Sequence, residues 1–393
     1  MLIRVAFGLL LAFAARAQTA ALPKGLDHFY NLEYDQAIEE FRRRIQAEPG
    51  SPEEHNHLAM AILYREMFRS GALETELVSG GNPFLRRPRM NPSAQDQQEF
   101  DQAIRKSMDL CRARLKARPA DLDAMYALGV AHGLRANYNF LVRKAYLDAL
   151  RDVTAARKLH NQVTDRNPSR IDARLVQGVH DYVVGSLPLR IRLLGFVAGF
   201  RGDKRQGIAT LEDVAKRGEL NRVDAEVLLC AIYRRERQPA RAAPLLEDLI
   251  SRFPRNFLFR FELAQMYADL GKKDSALAAL LEIEKRKSEG EPGYRLVPIE
   301  KILYARGVVQ FWYNDLDEAA RNLERAASAA GELDLNTGTF AWLRLGQTYD
   351  LKGQRSHAVA AYQQAVRLAP DSDAARQSRQ YLASPYRRTR NSG

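Results

Sequence analysis

The sequence predicts an all-α fold: an α-solenoid of about eight helix-turn-helix repeats, three of them with insertions. Three observations lead there. First, no stretch alternates apolar and polar residues as a half-buried strand would. Second, a pattern of small and apolar residues recurs along the chain. It is clearest at Trp342-x-x-Leu345-Gly346-x-x-Tyr349, then Ala358-x-x-x-Tyr362-x-x-Ala365, then Pro370. Third, nine residues separate Tyr349 from Ala358, and other repeats keep that interval. The pattern has a physical reason. Leu345, Tyr349, Ala358 and Tyr362 fall on facing sides of two antiparallel helices, small Gly346 and Ala358 let the helices approach, and Pro370 stops the second. One such hairpin cannot bury its apolar face alone, so neighbours must stack on it.

This spacing resembles the tetratricopeptide-repeat (TPR) signature at each diagnostic position, with Tyr362 where Phe is usual. The resemblance extends over the mature chain. It implies a protein-interaction scaffold that binds a protein or peptide along a concave groove lined by the first helix of each repeat.

In chain order, Met1–Arg4, the apolar Val5–Ala14 and Ala15-Arg16-Ala17 read as a secretory signal, residues 1–17, with an A-x-A cleavage site. The apolar run is short for a membrane span. An exported protein, periplasmic or secreted and envelope-associated, is therefore expected. The solenoid follows over residues 18–372. Ala37, Phe41 and Pro49 mark the first repeat, with His28 nine residues before Ala37. Leu58, Ala59, Ile62, Ser107, Cys111 and Pro119 mark the second. Met125, Leu128, Gly129, His132, Ala156, His160, Val163 and Pro168 mark the third, and Gln177, Gly178, Asp181, Gly207, Leu211 and Val214 the fourth. The fifth carries Leu229, Cys230, Tyr233, Ala242, Leu246 and Pro254. The sixth carries Leu263, Ala264, Tyr267, Ala276, Leu280 and Ile283. Gly307, Ala319, Leu323 and Ala326 mark the seventh, and the Trp342–Pro370 pattern is the eighth. Asp373–Ala383 reads as a capping helix and 384–393 as a basic, disordered end; together they make the terminal unit 373–393.

Three repeats depart from the nine-residue interval. Ile62 to Ser107 is 45 residues, His132 to Ala156 is 24, and Asp181 to Gly207 is 26. The insertions, near 63–106, 133–155 and 182–206, fall in the same turn of consecutive repeats and should project from one edge. The second-repeat insertion holds Ser79-Gly80-Gly81-Asn82-Pro83 and reads as a loop. The third-repeat insertion lacks proline and reads as about two extra turns on each helix. The fourth-repeat insertion is apolar with basic punctuation, and its Gly195-Phe196 to Gly202-Asp203 resembles a motif in eukaryotic TPR proteins linked to inclusion-body clearance and outer membranes.

The formal charge is +12, or +10 once Arg4 and Arg16 of the signal are set aside. That favours acidic partners, yet no RRM, KH, zinc-finger or helix-turn-helix pattern supports nucleic acid as a partner. Cys111 and Cys230 both occupy framework positions and read as buried small hydrophobes, too far apart to bridge. His55 and His57 lie two apart on a helix, facing different directions. His28 and His132 occupy the slot that Tyr349 fills. No HExxH, GxSxG, phosphate loop or Cys/His pair appears, so no enzyme activity, metal or cofactor is expected.

Two candidate surfaces remain. Projecting the repeat pattern onto the last four repeats places Val227, Arg234, Phe261, Gln265, Tyr304, Phe311, Phe340 and Gln347 on the concave groove, a set suited to an extended or helical peptide. The chaperone-tail clamp of some TPR domains needs Lys and Asn there; Val227, Phe261, Tyr304 and Leu343 stand instead. The second surface is the inserted edge. Arg86, Arg87, Arg89, Arg143, Lys144, Arg190, Arg192, Arg201, Lys204 and Arg205 sit beside Phe84, Tyr138, Phe140, Phe196 and Phe200. Basic groups around apolar anchors suit an anionic membrane surface or an acidic partner.

Overall fold

The computed structural model describes residues 22–73, 90–186 and 202–388. The signal segment and the centres of the second- and fourth-repeat insertions lie outside the described residues. Seventeen α-helices occupy the described residues, and no strand is present among them. They pair as eight antiparallel hairpins: α1 Lys24–Tyr30 with α2 Tyr34–Ala47, α3 Pro52–Arg69 with α4 Ala94–Ala117, α5 Leu122–Tyr138 with α6 Tyr146–Arg166, and α7 Arg174–Gly185 with α8 Lys204–Arg217. Then come α9 Arg222–Arg235 with α10 Pro239–Arg252, α11 Phe257–Asp269 with α12 Lys273–Ser288, α13 Ile299–Trp312 with α14 Leu316–Ser328, and α15 Leu335–Leu351 with α16 Arg355–Leu368. A last helix, α17 Asp373–Ala383, lies on the eighth hairpin. The described residues form an all-α solenoid of helical hairpins.

Local chemistry sets the hairpins. Side chains of Ser51, Ser93, Asp121, Asp203, Asn256, Asp334 and Ser372 each accept a free backbone N–H in the first turn of their helices. Within a hairpin the small framework residue sets the helix separation. A Cβ on Gly346 would fall 2.5 Å from the Tyr362 ring, so a larger residue cannot occupy that crossing. In the five regular hairpins the turn closes through one left-handed residue: Leu32, Arg237, Gly271, Asn314 or Gly353. The backbone then bonds five residues back, for example Gln354 N–H to Tyr349 O at 2.8 Å, which satisfies an orphan carbonyl.

The second and third hairpins lengthen instead of turning early. α5 runs to Tyr138 and continues as a π-helical turn, Asn139–Arg143, before Lys144 takes a left-handed conformation. That helix and the 21-residue α6 each exceed the 14-residue α9 by about two turns.

One feature departs from a simple stack of neighbours. The superhelix brings its first hairpin back against the fifth and sixth. The Arg255 guanidinium reaches Glu33 at 2.8 Å and Asp27 at 2.6 Å, and Asn256 Nδ2 donates to Tyr30 O at 2.7 Å. Tyr30 packs at a tilt against Phe253 with ring centroids 5.1 Å apart and donates its hydroxyl to Asp224 at 3.1 Å. The lengthened end of α3 makes a second bridge, with Phe68 against Phe257 and Gly71 beside Asp334.

Candidate protein-binding groove

The first helices of the last four hairpins, α9, α11, α13 and α15, line the inner face of the C-terminal half. A cavity of about 70 Å³ opens there, lined by Arg234 of α9, Phe261, Glu262 and Gln265 of α11, Lys301 and Tyr304 of α13, Thr337 of α15 and Leu73. Its size decides what it can hold. Small-molecule sites run to roughly 300–1,000 Å³, so this cavity suits one side chain of a larger partner. Its chemistry is amphipathic. The Phe261 ring carries Lys301 Nζ 6.0 Å from its centroid, Arg234 pairs with Glu262 at 3.1 Å, and Gln265 donates to Asp269 at 2.8 Å.

The structure therefore brings together Arg234, Phe261, Gln265 and Tyr304 of the eight residues projected from the repeat pattern. The other four depart from it. Val227 is half-buried against the N-terminal core and Phe340 against the C-terminal core; neither lines the cavity. Gln347 is 1% exposed and accepts from Arg344 at 2.7 Å, so it braces a neighbour instead of facing a ligand. Phe311 is 0% exposed because other side chains cover its ring. Trp312, Tyr386, Arg344 and Arg388 lie at 5.1, 6.0, 5.6 and 5.1 Å from its centroid.

Tyr386 and Arg388 also correct the expectation of a disordered end over 384–388. That segment turns back from α17: Tyr386 N–H bonds Asp350 at 2.7 Å, and the Arg388 guanidinium donates to Phe311 O. Sequence reasoning missed it because a Pro-Tyr-Arg-Arg run after a final helix carries no periodicity. It missed Glu262, Lys301 and Leu73 too, since the projection sampled fixed slots only.

The basic edge resolves differently. Arg86, Arg87, Arg89, Arg190, Arg192 and Arg201 lie outside the described residues. Arg143 pairs with Asp101 at 2.5 Å, donates to Asn139 and lies over the Tyr138 ring; Lys204 pairs with Glu236 at 2.6 Å. These two charges are thus neutralised in place. Lys144 follows the π turn with its amino nitrogen buried, and Arg205 is exposed on α8.

The framework histidines are structural. His132 Nδ1 meets Asp152 at 2.8 Å beside Arg135, and His28 meets Glu33 at 2.6 Å. His160 is buried, stacked on Tyr126, and held near a pKa of about 4 by desolvation. Cys111 and Cys230 are free and buried; burial pushes the Cys111 thiol up to about 12, so it is unreactive. No group of three or more His, Cys, Asp or Glu placed to hold a metal occurs among the described residues.

An all-helical solenoid with a lined inner groove defines the class, a helical-repeat scaffold for protein–protein interaction. The chain contains tetratricopeptide repeats: residues 232–292 and 341–372 each match a model described as a tetratricopeptide repeat. No curated protein matches it in sequence. Solved structures similar to it include yeast Tom70, 12% identical over 91% of this chain and 86% of that one, TM-score 0.40. The human IFIT1 dimer with m7Gppp-AAAA is 13% identical over 92% and 83%, TM-score 0.46. A tetratricopeptide repeat protein from Parabacteroides merdae is 15% identical over 78% and 90%, TM-score 0.30. Scores this low do not equate the superhelices. TPR proteins are generally non-enzymatic scaffolds.

Proposed function

We propose that this chain is an exported scaffold of the cell envelope that binds a partner peptide along the groove of α9, α11, α13 and α15. The cavity carries the reading. Four residues that the repeat pattern alone places on the groove converge on one opening, with an aromatic floor and charged walls. Apolar anchoring by Phe261 and Tyr304 would supply affinity, while Arg234, Lys301 and Gln265 would fix orientation. Export is supported by the apolar Val5–Ala14 run and the A-x-A site after it. To test the groove, peptides selected from a random library on the full chain are titrated against the Phe261→Ala variant. At least a tenfold weakening is expected; unchanged affinity for every selected peptide removes the groove.

A second reading, peripheral docking on an anionic membrane surface through the inserted edge, is favoured by one observation. The first turns of α6 expose Tyr146, Leu147, Leu150 and Val153, with Leu147 73% exposed. The chain should then sediment with anionic vesicles at low salt, and failure to do so eliminates that reading.

A further inference from the structure

We propose that residues 386–388 are the chain's own ligand in a peptide slot on α13 and α15. From a partner, that slot would take an extended segment with an aromatic residue followed two positions later by arginine. The inference rests on the scaffold reading and extends its groove from the Phe261 cavity to the last two hairpins.

Three contacts define the slot, and each is specific to a feature of the segment. Asp350, whose side chain is 1% exposed, accepts the Tyr386 backbone N–H at 2.7 Å, a contact that fixes an extended chain without reading its sequence. The Phe311 ring, with Trp312 beside it, faces the Tyr386 ring and so reads an aromatic residue. The Arg388 guanidinium lies over the same Phe311 ring and donates to Phe311 O. That carbonyl sits in the last turn of α13, where it also accepts the Asn314 N–H at 3.1 Å and where the negative end of the helix dipole favours a cation.

The segment is not needed to cap the solenoid. α17 already covers the eighth hairpin through buried Ala374 and Ala375, and residues 386–388 reach past it to the preceding hairpin. Its hold carries a built-in opposition. Arg344 lies over the same Phe311 ring as Arg388, and among the described residues neither guanidinium is ion-paired to a carboxylate. Like charges sharing one ring weaken the hold and make the segment displaceable.

The test uses a fluorescein-labelled peptide with the sequence of residues 384–393, titrated by anisotropy into the full chain and two full-chain variants, Arg388→Glu and Tyr386→Ala/Arg388→Ala. The wild type should bind weakly because its slot is filled, and each variant at least tenfold more tightly. A peptide with alanine for its Tyr and its second Arg should lose that gain. Variants that keep wild-type helicity and melting temperature but bind no better overturn the proposal. The wild type gives an independent arm: excess peptide should speed hydrogen exchange of the Tyr386 amide, and unchanged exchange at saturation overturns the proposal too. If library peptides depend on Phe261 while these arms fail, the scaffold reading survives and this inference does not.

Discussion

The two halves of this solenoid use the same repeat in opposite ways. In the N-terminal half the superhelix closes on itself, and its interior is filled by its own aromatic side chains. Phe29 packs on Tyr64 at 5.0 Å, Tyr30 on Phe253, and the Tyr126 hydroxyl accepts from Asn221 at 2.7 Å. In the C-terminal half the hairpins turn tightly, the inner faces of α11 and α13 leave a cavity, and a displaceable segment covers Phe311. One lengthened helix adds to the closure. Lengthened α3 carries Phe68 and Gly71 across to α11 and α15, so an insertion that reads as a binding edge serves partly as a clasp.

The largest test of that contrast compares two phenylalanines. Phe41 is fully buried between Gly25 and His57 in the closed half, whereas Phe340 is half-buried on the open side. Phe41→Ala should cost about 3–5 kcal/mol, Phe340→Ala about 1 kcal/mol. Urea unfolding followed by circular dichroism measures both. Equal losses would break the contrast.

Acid should also act on the closed half. His160 is neutral when folded, with its pKa lowered to about 4, while unfolded histidine titrates near 6.5. Below 6.5 the unfolded chain therefore binds more protons, and stability falls as pH drops from about 6.5 towards 4. The loss attributable to this group between pH 7 and pH 5 is about 2 kcal/mol. Thermal melts at the two pH values should show the difference between wild type and His160→Leu narrowing by that amount at pH 5. A constant difference would mean that His160 does not titrate as its burial requires.

The clasp itself is polar and partly exposed, so its contribution is smaller. Arg255→Ala leaves Asp27 and Glu33 without their guanidinium and should cost about 1 kcal/mol after allowance for solvent. Its signature is regional. Hydrogen exchange should speed up in α1 and stay unchanged in α15 and α16. Uniform acceleration would show that the halves are not distinct.

How much of this was legible in sequence follows from what periodicity can encode. The framework was legible because Gly346, Ala358 and Tyr362 act within one hairpin, at fixed spacing. So were Arg234, Phe261, Gln265 and Tyr304, which share slots on successive first helices. The closure was not, because Arg255 meets Asp27 and Glu33 more than 220 residues away, and no local pattern marks that pairing. The burial of Phe311 was hidden for the same reason: its cover comes from residues 386–388, beyond the last repeat. Gln347 failed more simply, since its slot turns toward Arg344 of its own helix.

The smallest effect concerns the regular turns that both halves share. Leu32, Arg237 and Asn314 hold the left-handed conformation that Gly271 and Gly353 adopt without steric cost. For an L-residue that conformation costs roughly 1–2 kcal/mol, partly offset by the extra unfolded-state entropy of glycine. Leu32 also packs against the core that α11 and α13 share, so replacing it forfeits some of that contact. Leu32→Gly should therefore shift stability by no more than about 0.5 kcal/mol. Asn314→Gly should be near neutral, because asparagine tolerates the left-handed region. A clear loss at Leu32 with none at Asn314 would show the clasp extending into the first turn. Equal gains at both would place the strain in the turn alone.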